Sequence, residues 1–475
     1  MGLLAGAALL AALTNNLADP DLWGYMSFGR RFWQESAFPY HDTFSYIPVK
    51  GVWVFHEWLT GALFYLLYEK TGGLGLQVLK YTAALSTAGL AWATARRRGA
   101  PSWAAWAGLL LPVSYFSSAY SPVRAQIFSL LFLASSLFIL ERAKTKPRVL
   151  FFLPPIFALW CNLHGGFLAG IAATAFFAAG QIRVPQKNLA FSGALAACLL
   201  ATLASPYGLG LWKNVLAHVL SPEPEIVEWE PLWRLLAAGD TASIAFAALM
   251  VLTWICALAF FRKDMPALLM LGMATFMAVS HIRFLSLFAV CFAALVPPAF
   301  PRLWKNAKKT RPIALFLAAC CTGIACINVF YAFRPVFSPI SPGSPFALKI
   351  PDLSQTTKRV VFYPTGGIAY IHKHGLSGNL LCKYDWGSYC VWNLYPQCKV
   401  AVDGRSETLF PAEVRAEQWE FQHGRLGWRA FLSRYPHDMI LLEPDTKIYY
   451  LVSEDRQWRQ VYTDTSCALF VKEKF

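Results

Sequence analysis

Apolar residues run through this chain in long blocks separated by short polar links, not at the spacing of a half-buried surface helix. The blocks fall at 2–17, 76–94, 102–117, 124–141, 149–163, 166–182, 188–205, 242–261, 265–281, 284–300 and 312–332. Each approaches the length that a bilayer core requires, so the pattern predicts about eleven membrane-spanning helices. The first block has no basic n-region and no convincing small-x-small cleavage site. It is read as a short retained span, with a cleaved signal peptide as the alternative. Residues 58–69 are apolar but too short to span, and they precede Lys70-Thr71-Gly72-Gly73. They are expected to form a helix lying at the outer membrane interface, with a short tilted span as the alternative.

From about residue 345 the pattern changes to short apolar runs alternating with helical periodicity. Strands are predicted at 359–363, 380–382, 399–402, 439–442 and 468–471, and helices at 365–374, 386–394, 411–421 and 428–435. Such alternation implies a small α/β domain of three layers. The expected fold class is therefore a polytopic α-helical membrane protein with a C-terminal extracytoplasmic α/β domain. Its expected divisions are a transmembrane domain over 1–335, containing a first external loop at 18–75, and an α/β domain over 336–475.

Charge orients this plan. Of the 475 residues only 15% are charged and 56% are hydrophobic, against roughly 25% charged in a soluble domain. A net charge of +15 would suggest nucleic acid in a soluble protein. Here much of the Lys and Arg lies in links between apolar blocks: Arg96-Arg97-Arg98, Arg142 to Arg148, Arg183/Lys187, Arg262/Lys263 and Arg302 to Arg311. The positive-inside rule accounts for that placement, so no nucleic-acid partner is expected. The rule puts the N-terminus inside and the 18–75 loop, the 206–241 loop and the α/β domain outside. Seven of the eleven cysteines lie in or beside spans as packing residues, and Cys382, Cys390, Cys398 and Cys467 belong to the external domain. Four cysteines allow three disulfide pairings, and their spacing does not match a zinc site.

Candidate chemistry gathers at the outer ends of the spans. Asp19-Pro20-Asp21-Leu22-Trp23 follows the first apolar block, and His56-Glu57 closes the polar, aromatic-rich segment after it. The aromatic residues of this loop are expected to draw it onto the membrane interface. Carboxylates there can accept a proton or bind a divalent cation, Mg or Mn, through Asp19 and Asp21; capping of a helix at Leu22 is the structural alternative. Arg124 and Gln126 open one span, Asn162 and His164 sit in a tight turn, and His281 and Arg283 sit in another. Ionisable groups at such depth mark functional sites unless they snorkel to headgroups. The three turns are expected to line one outward cavity with the Asp19/Asp21 loop, and the arginines suit an anionic phosphate. In the 206–241 loop, Glu223 and Glu225 read as surface residues, while Glu228 and Glu230 flank Trp229 as candidate acceptor-side or metal carboxylates. Asp385 and the Asp403-Gly404-Arg405 turn are candidates in the α/β domain, with capping and turn formation as the local reading.

An early acidic residue in a first outer loop, an interfacial helix, many spans and a C-terminal α/β domain together resemble the GT-C superfamily of glycosyltransferases. The run from His56 to Arg98 is similar to part of the lipid A aminoarabinose transferases and protein mannosyltransferases. A bacterial group of GT-C-like proteins carries patterns similar to Asp19-Pro20-Asp21-Leu22-Trp23, His56-Glu57-Trp58-Leu59, Asn162-Leu163-His164-Gly165-Gly166, Ser205-Pro206-Tyr207-Gly208 and Asp403-Gly404-Arg405. Asp385-Trp386-Gly387-Ser388-Tyr389 resembles the Trp-Trp-Asp-Tyr-Gly motif of oligosaccharyltransferase catalytic subunits, with Lys383-Tyr384 in place of the Trp pair. Those enzymes carry metal-binding acids in their second external loop, whereas the 118–123 link has none. The resemblance implies a place in the cytoplasmic (inner) membrane of a bacterium and transfer, with inversion, of a sugar from a polyprenyl-phosphate-linked donor to an acceptor at its outer face, among membrane lipids. Asp21 or Asp19 would be the base, and Arg124 and Arg283 would hold the leaving phosphate. The competing readings are a lipid-handling transporter and a non-catalytic scaffold that binds lipid-linked glycan.

Overall fold

The computed structural model describes residues 1–475 except 36, 121, 221–226, 308–310, 337–343, 352, 354–361 and 474–475. Most of the strand expected at 359–363 and both Glu223 and Glu225 therefore lie outside the described residues. The chain divides into two compact units, one of Met1–Asn16 with Gln77–Ala347, the other of Leu17–Leu76 with Leu348–Phe475. Residues 17–76, which hold the segment read from the sequence as a first external loop, thus group with the C-terminal residues in one unit.

The first unit is helical. Three of its helices are long and apolar enough to cross a membrane: Gln126–Ala143, Thr241–Phe260 and Leu315–Phe333. A fourth span results if Ile282–Leu295 and Pro297–Asn306, bent by 42°, are counted together. The 76–94 block lies in an unbroken 25-residue helix, Gly73–Arg97, that is not apolar enough to count, and most of the remaining blocks form shorter or broken helices; the count of eleven is therefore not reproduced by length and composition among the described residues. Proline explains several breaks. The 102–117 block divides into Ser102–Leu110 and Val113–Ser118 around Pro112, and Pro297-Pro298 interrupts the 284–300 block. Proline lacks the N–H that an interior helical position must donate, and its ring crowds the preceding turn.

In the second unit a five-stranded mixed sheet has the order β2-β1-β3-β5-β4. Its strands are β1 (Gly378–Cys382), β2 (Cys398–Val400), β3 (Met439–Leu442), β4 (Trp458–Thr463) and β5 (Ala468–Lys472). β1 pairs in parallel with β2 and β3, and β5 is antiparallel to β3 and β4. All four residues of β3 are buried, as an apolar run in a sheet centre should be. The polar edge strand β4 and the helix Lys447–Ser453 are absent from the sequence reading; Arg459, Gln460 and Thr463 in β4 are exposed, which hides its apolar signal. The outer side of β2 is covered by the loop: the Phe44 carbonyl accepts from Val400 N at 2.9 Å, and Ser45 Oγ donates to the Ala401 carbonyl at 2.8 Å. An otherwise open sheet edge is thereby paired.

The loop folds as two packed helices, Pro20–Gln34 and Trp58–Thr71. They approach so closely that a Cβ on Gly29 would lie 2.1 Å from the Gly61 carbonyl oxygen. The loop aromatics do not form the outward belt expected of an interfacial segment. Trp23, Phe28, Phe44, Trp53 and Phe55 are buried, and Phe28 packs against Trp53 and Phe55 at 5.3 and 4.8 Å between ring centroids. They form a core, because each ring removes more apolar surface from water by stacking on its neighbours than by lying on a surface. Trp33 and Tyr40 remain exposed.

Candidate functional site

Asp19 caps the Pro20–Gln34 helix. Its backbone is extended, Pro20 takes the first helical position, and Asp19 Oδ1 accepts from the Asp21 N–H at 3.0 Å. The helix thus begins at Pro20, two residues before the Leu22 start expected from the sequence, and Asp21 lies in its first turn, where a negative charge is favoured by the helix dipole. The strand-like residue before the cap is held on both sides: Ala18 N donates to the Lys349 carbonyl at 2.7 Å, and the Tyr363 hydroxyl donates to the Ala18 carbonyl at 2.9 Å. Burial, and then the negative charges of Asp19 and Asp21, push the Tyr363 phenol well above its ordinary pKa, so it stays a neutral donor.

Three sequence motifs converge at Asp21. A Cβ on Gly404 would lie 3.2 Å from Asp21 Oδ1 and 3.3 Å from Ser388 Oγ. Gly404 N donates to Ser388 Oγ at 3.3 Å, and a Cβ on Gly24 would lie 3.3 Å from the same oxygen. Gly387 is required where it stands, since a Cβ there would meet the Val402 carbonyl oxygen at 2.4 Å. Trp23 packs edge-on against Tyr389 and Tyr363 at 4.9 and 5.8 Å. The acidic pair, the Asp385–Tyr389 segment and the Asp403-Gly404-Arg405 turn are therefore one local structure.

Not all of its charged residues face outward. Asp403 Oδ1 accepts from Arg405 N and Nε at 3.0 and 2.8 Å, and Oδ2 accepts from Nη2 at 2.6 Å. Arg405 Nη1 pairs with Asp42, and the guanidinium lies 5.0 and 4.7 Å from the ring centroids of Phe44 and Trp53. Burial alone would lower the Arg405 pKa, but Asp403 and Asp42 reverse the direction and raise it. Asp403 and Arg405 were candidates for substrate contact; the structure places both in a buried ion triad that fixes the turn. Asp385 lies at the surface with its side chain 49% exposed, 3.7 Å from Lys383 Nζ. His56 and Glu57 precede the Trp58–Thr71 helix, with His56 Nε2 3.8 Å from Glu57 Oε1.

The polar turns of the membrane-helix unit form a second cluster around 228–230. Arg124 pairs with Glu228, and Arg283 lies over the Trp229 ring at 4.5 Å. His281 Nδ1 donates to the Trp229 carbonyl at 2.8 Å, and Ile282 N donates to the Glu230 carbonyl at 3.0 Å. His164 Nδ1 accepts from Gly166 N at 3.0 Å and from Ser129 Oγ at 2.7 Å, while Ser129 Oγ accepts from Trp160 Nε1 at 2.7 Å. An accepting Nδ1 sets the neutral His164 tautomer with its proton on Nε2. Asn162 is buried and donates to the carbonyls of Ala158 and Ala204 at 2.8 and 3.0 Å, which ties two helix ends together. Gln126 begins the Gln126–Ala143 helix, half-buried.

Two features escaped the sequence reading. Lys80, within an apolar block, is fully buried and donates to the Leu13 and Asn15 carbonyls at 2.7 Å each; a lone lysine in such a block is the available signal. Arg98, counted with the basic links, turns inward to Glu141 and to Asp264 at 2.7 Å, and Lys144 meets Glu141 at 3.0 Å. The signal was the presence of acids in links otherwise basic. Among the described residues no three His, Cys, Asp or Glu converge as metal ligands. Cys382, Cys390, Cys398 and Cys467 are buried free thiols.

No known family profile matches the chain. No curated protein sequence matches it either. Solved structures do. The oligosaccharyltransferase of Archaeoglobus fulgidus in its apo form superposes with a TM-score of 0.58 at 12% identity, over 99% of this chain and 74% of that one. AglB of the same organism, solved with an inhibitory peptide and a dolichol-phosphate, gives 0.55 at 13% identity over 93% and 69%. ArnT from Cupriavidus metallidurans in the apo state gives 0.53 at 15% identity over 98% and 97%. At these identities the likeness is one of fold: the chain has a fold similar to that of GT-C glycosyltransferases, which are integral membrane proteins.

Proposed function

We propose that this protein is a membrane glycosyltransferase that moves a sugar from a polyprenyl-phosphate-linked donor to an acceptor at the outer face of the cytoplasmic membrane. The observation that carries the reading is the convergence of Asp21 with Gly404 and Ser388, in a chain whose fold is similar to AglB and ArnT. In this reading Asp21 accepts the proton of the acceptor hydroxyl as that oxygen attacks the anomeric carbon. The anomeric C–O bond to phosphate breaks on the opposite side, its electron pair leaves with the polyprenyl phosphate, and configuration inverts. Asp19 holds the helix start that positions Asp21. Within the membrane-helix unit, Arg124 and Arg283 are the groups whose chemistry suits a phosphate dianion, since guanidinium meets phosphate oxygens bidentately. The eleven-span plan with the N-terminus inside belongs to the same proposal.

A deletion strain complemented with wild type or Asp21→Asn tests it. Wild type should restore a glycan or deplete a lipid-linked sugar pool, and Asp21→Asn should accumulate the donor at unchanged protein level. A deletion that alters no envelope glycan and no lipid-linked pool would sink the transferase reading. The second reading, a non-catalytic scaffold for lipid-linked glycan, is favoured by the absence of acids from the 118–123 link; it expects Asp21→Asn to complement fully.

A further inference from the structure

One flank of the Pro20–Gln34 helix carries a polar stripe that the transfer chemistry does not use. Arg30, Arg31 and Gln34, with Glu35 at its C-cap, project at helical spacing into a cleft of about 450 Å³ whose opposite wall is Phe44, Tyr395 and Pro396. At 1.5 Å and 100° per residue, Arg30 lies about 14 Å along the helix from Asp21 and on its opposite side. The cleft is therefore a place apart from the acidic pair.

Its charge is positive for a specific reason. Arg31 is neutralised: its Nε meets Glu35 Oε1 at 2.5 Å, and its Nη1 donates to the His41 carbonyl. Arg30 has no such partner. Its Nη2 donates to the Trp392 carbonyl at 3.0 Å and its guanidinium lies over the Trp392 ring at 4.4 Å, and among the described residues no carboxylate forms an ion pair with it. Burial lowers its pKa, offset only by the Tyr65 and Tyr395 phenols. A half-buried guanidinium held by a ring and a carbonyl still presents further N–H donors in a fixed fork, a geometry that meets carboxylate or phosphate. The rest of the lining suits a sugar: Gln34 offers an exposed amide, Tyr395 a hydroxyl donating to Thr43 Oγ1 at 3.1 Å, and Tyr395 and Pro396 accessible apolar faces, with the buried Phe44 behind them. The volume falls within the roughly 300–1,000 Å³ of small-molecule sites.

We propose that this cleft binds an anionic saccharide, with Arg30 on its acid group and the Tyr395/Pro396 wall against the ring. That such a saccharide is part of the acceptor rests on the transferase reading above; the binding itself does not.

The test is calorimetry on the full chain in detergent with a tetragalacturonate probe, its carboxyl-reduced neutral analogue, and inorganic phosphate. The uronate should bind at least about tenfold more tightly than either control, and Arg30→Ala should weaken it about tenfold to hundredfold, the range of a charge-assisted hydrogen bond. A phosphorylated neutral tetrasaccharide as a further arm tells whether phosphate serves as the acid group. Arg30→Lys and the exposed Gln34→Ala should each weaken binding at unchanged Tm, so the test survives if Arg30→Ala unfolds. Asp21→Asn should bind the uronate like wild type even where transfer is lost, which separates failure of the cleft from failure of the transferase reading. Equal affinity for the acidic and neutral probes, phosphate binding as tightly as the saccharides, or full affinity in both Arg30→Lys and Gln34→Ala would overturn the proposal.

Discussion

Asp21 and Asp403 both adjoin Gly404, one in space and one in sequence, and the fold uses them in opposite ways. Asp403 is 2% exposed and closes three hydrogen bonds on Arg405, which a second carboxylate, Asp42, engages from the other side. Asp21 is half-buried in the first turn of a helix, and a Cβ on Gly404 would lie 3.2 Å from its Oδ1. A carboxylate locked between donors is poorly placed to take up a proton, because protonation must first break a charged pair in a low-dielectric setting. At Gly404 the missing Cβ leaves unfilled the position that a side chain would take against Asp21 Oδ1. Both residues stand in short motifs that read as candidate sites from the sequence, and the hydrogen bonds of Asp403 commit it to holding the turn.

The contrast breaks first at Arg405. Arg405→Ala leaves Asp42 and Asp403 facing each other in a buried site, and should destabilise the unit by about 3–5 kcal/mol, read as a lowered Tm or as loss of folded protein. Asp21→Asn should leave Tm unchanged and reduce transfer about 10²- to 10⁴-fold, the usual contribution of a general base. An Asp21→Asn protein that melts early, or an Arg405→Ala protein as stable as wild type, would reverse the assignment of the two acids.

A smaller effect separates the loop–sheet contact from the acidic pair by pH. His437 is buried; its Nε2 donates to the Phe431 carbonyl at 3.0 Å and its Nδ1 accepts from the Tyr46 hydroxyl. Burial, with Lys472 nearby, depresses its pKa from 6.5 to about 4, the Phe431 carbonyl acting in the opposite direction. The unfolded chain therefore binds this proton first as pH falls. The stabilisation is complete above about pH 6.5 and is lost as pH drops through 4, amounting to about 3 kcal/mol. Tm should fall over that window, and His437→Gln should flatten that part of the profile. Unchanged slope in the variant would mean that other groups carry the acid sensitivity.

The same contrast explains what could be read from the sequence. The strands β1, β2, β3 and β5 were visible because buried strands are short apolar runs, and the membrane character was visible because lipid demands long ones. The joining of the loop to the α/β domain was not. It rests on pairs such as Arg405 with Asp42 and Tyr46 with His437, separated by 363 and 391 residues, and no local periodicity reports a contact at that distance. The aromatics illustrate the cost of this: rings such as Trp53 and Phe28 suit an interface and a core equally well by composition, and only the packing partner distinguishes them. The Asp403-Gly404-Arg405 motif was legible as special, but its residue types fit ligand binding and a buried triad alike.

Asp19 is the smallest and sharpest probe. Its observed work is to cap a helix, through Oδ1 to the Asp21 N–H. Asn caps as well as Asp, whereas Ala does not. Asp19→Ala should therefore lower stability by about 1 kcal/mol and, by loosening the first turn, reduce transfer along with it. Asp19→Asn should restore the Tm, because the side-chain oxygen that accepts from Asp21 N is retained. What it removes is charge alone, so its activity isolates the electrostatic part of the pair. Near-wild-type transfer in Asp19→Asn beside an inactive Asp21→Asn would leave Asp21 as the single base with Asp19 as its mount. Loss of transfer in both, at unchanged Tm, would show instead that the two carboxylates act as one charged unit.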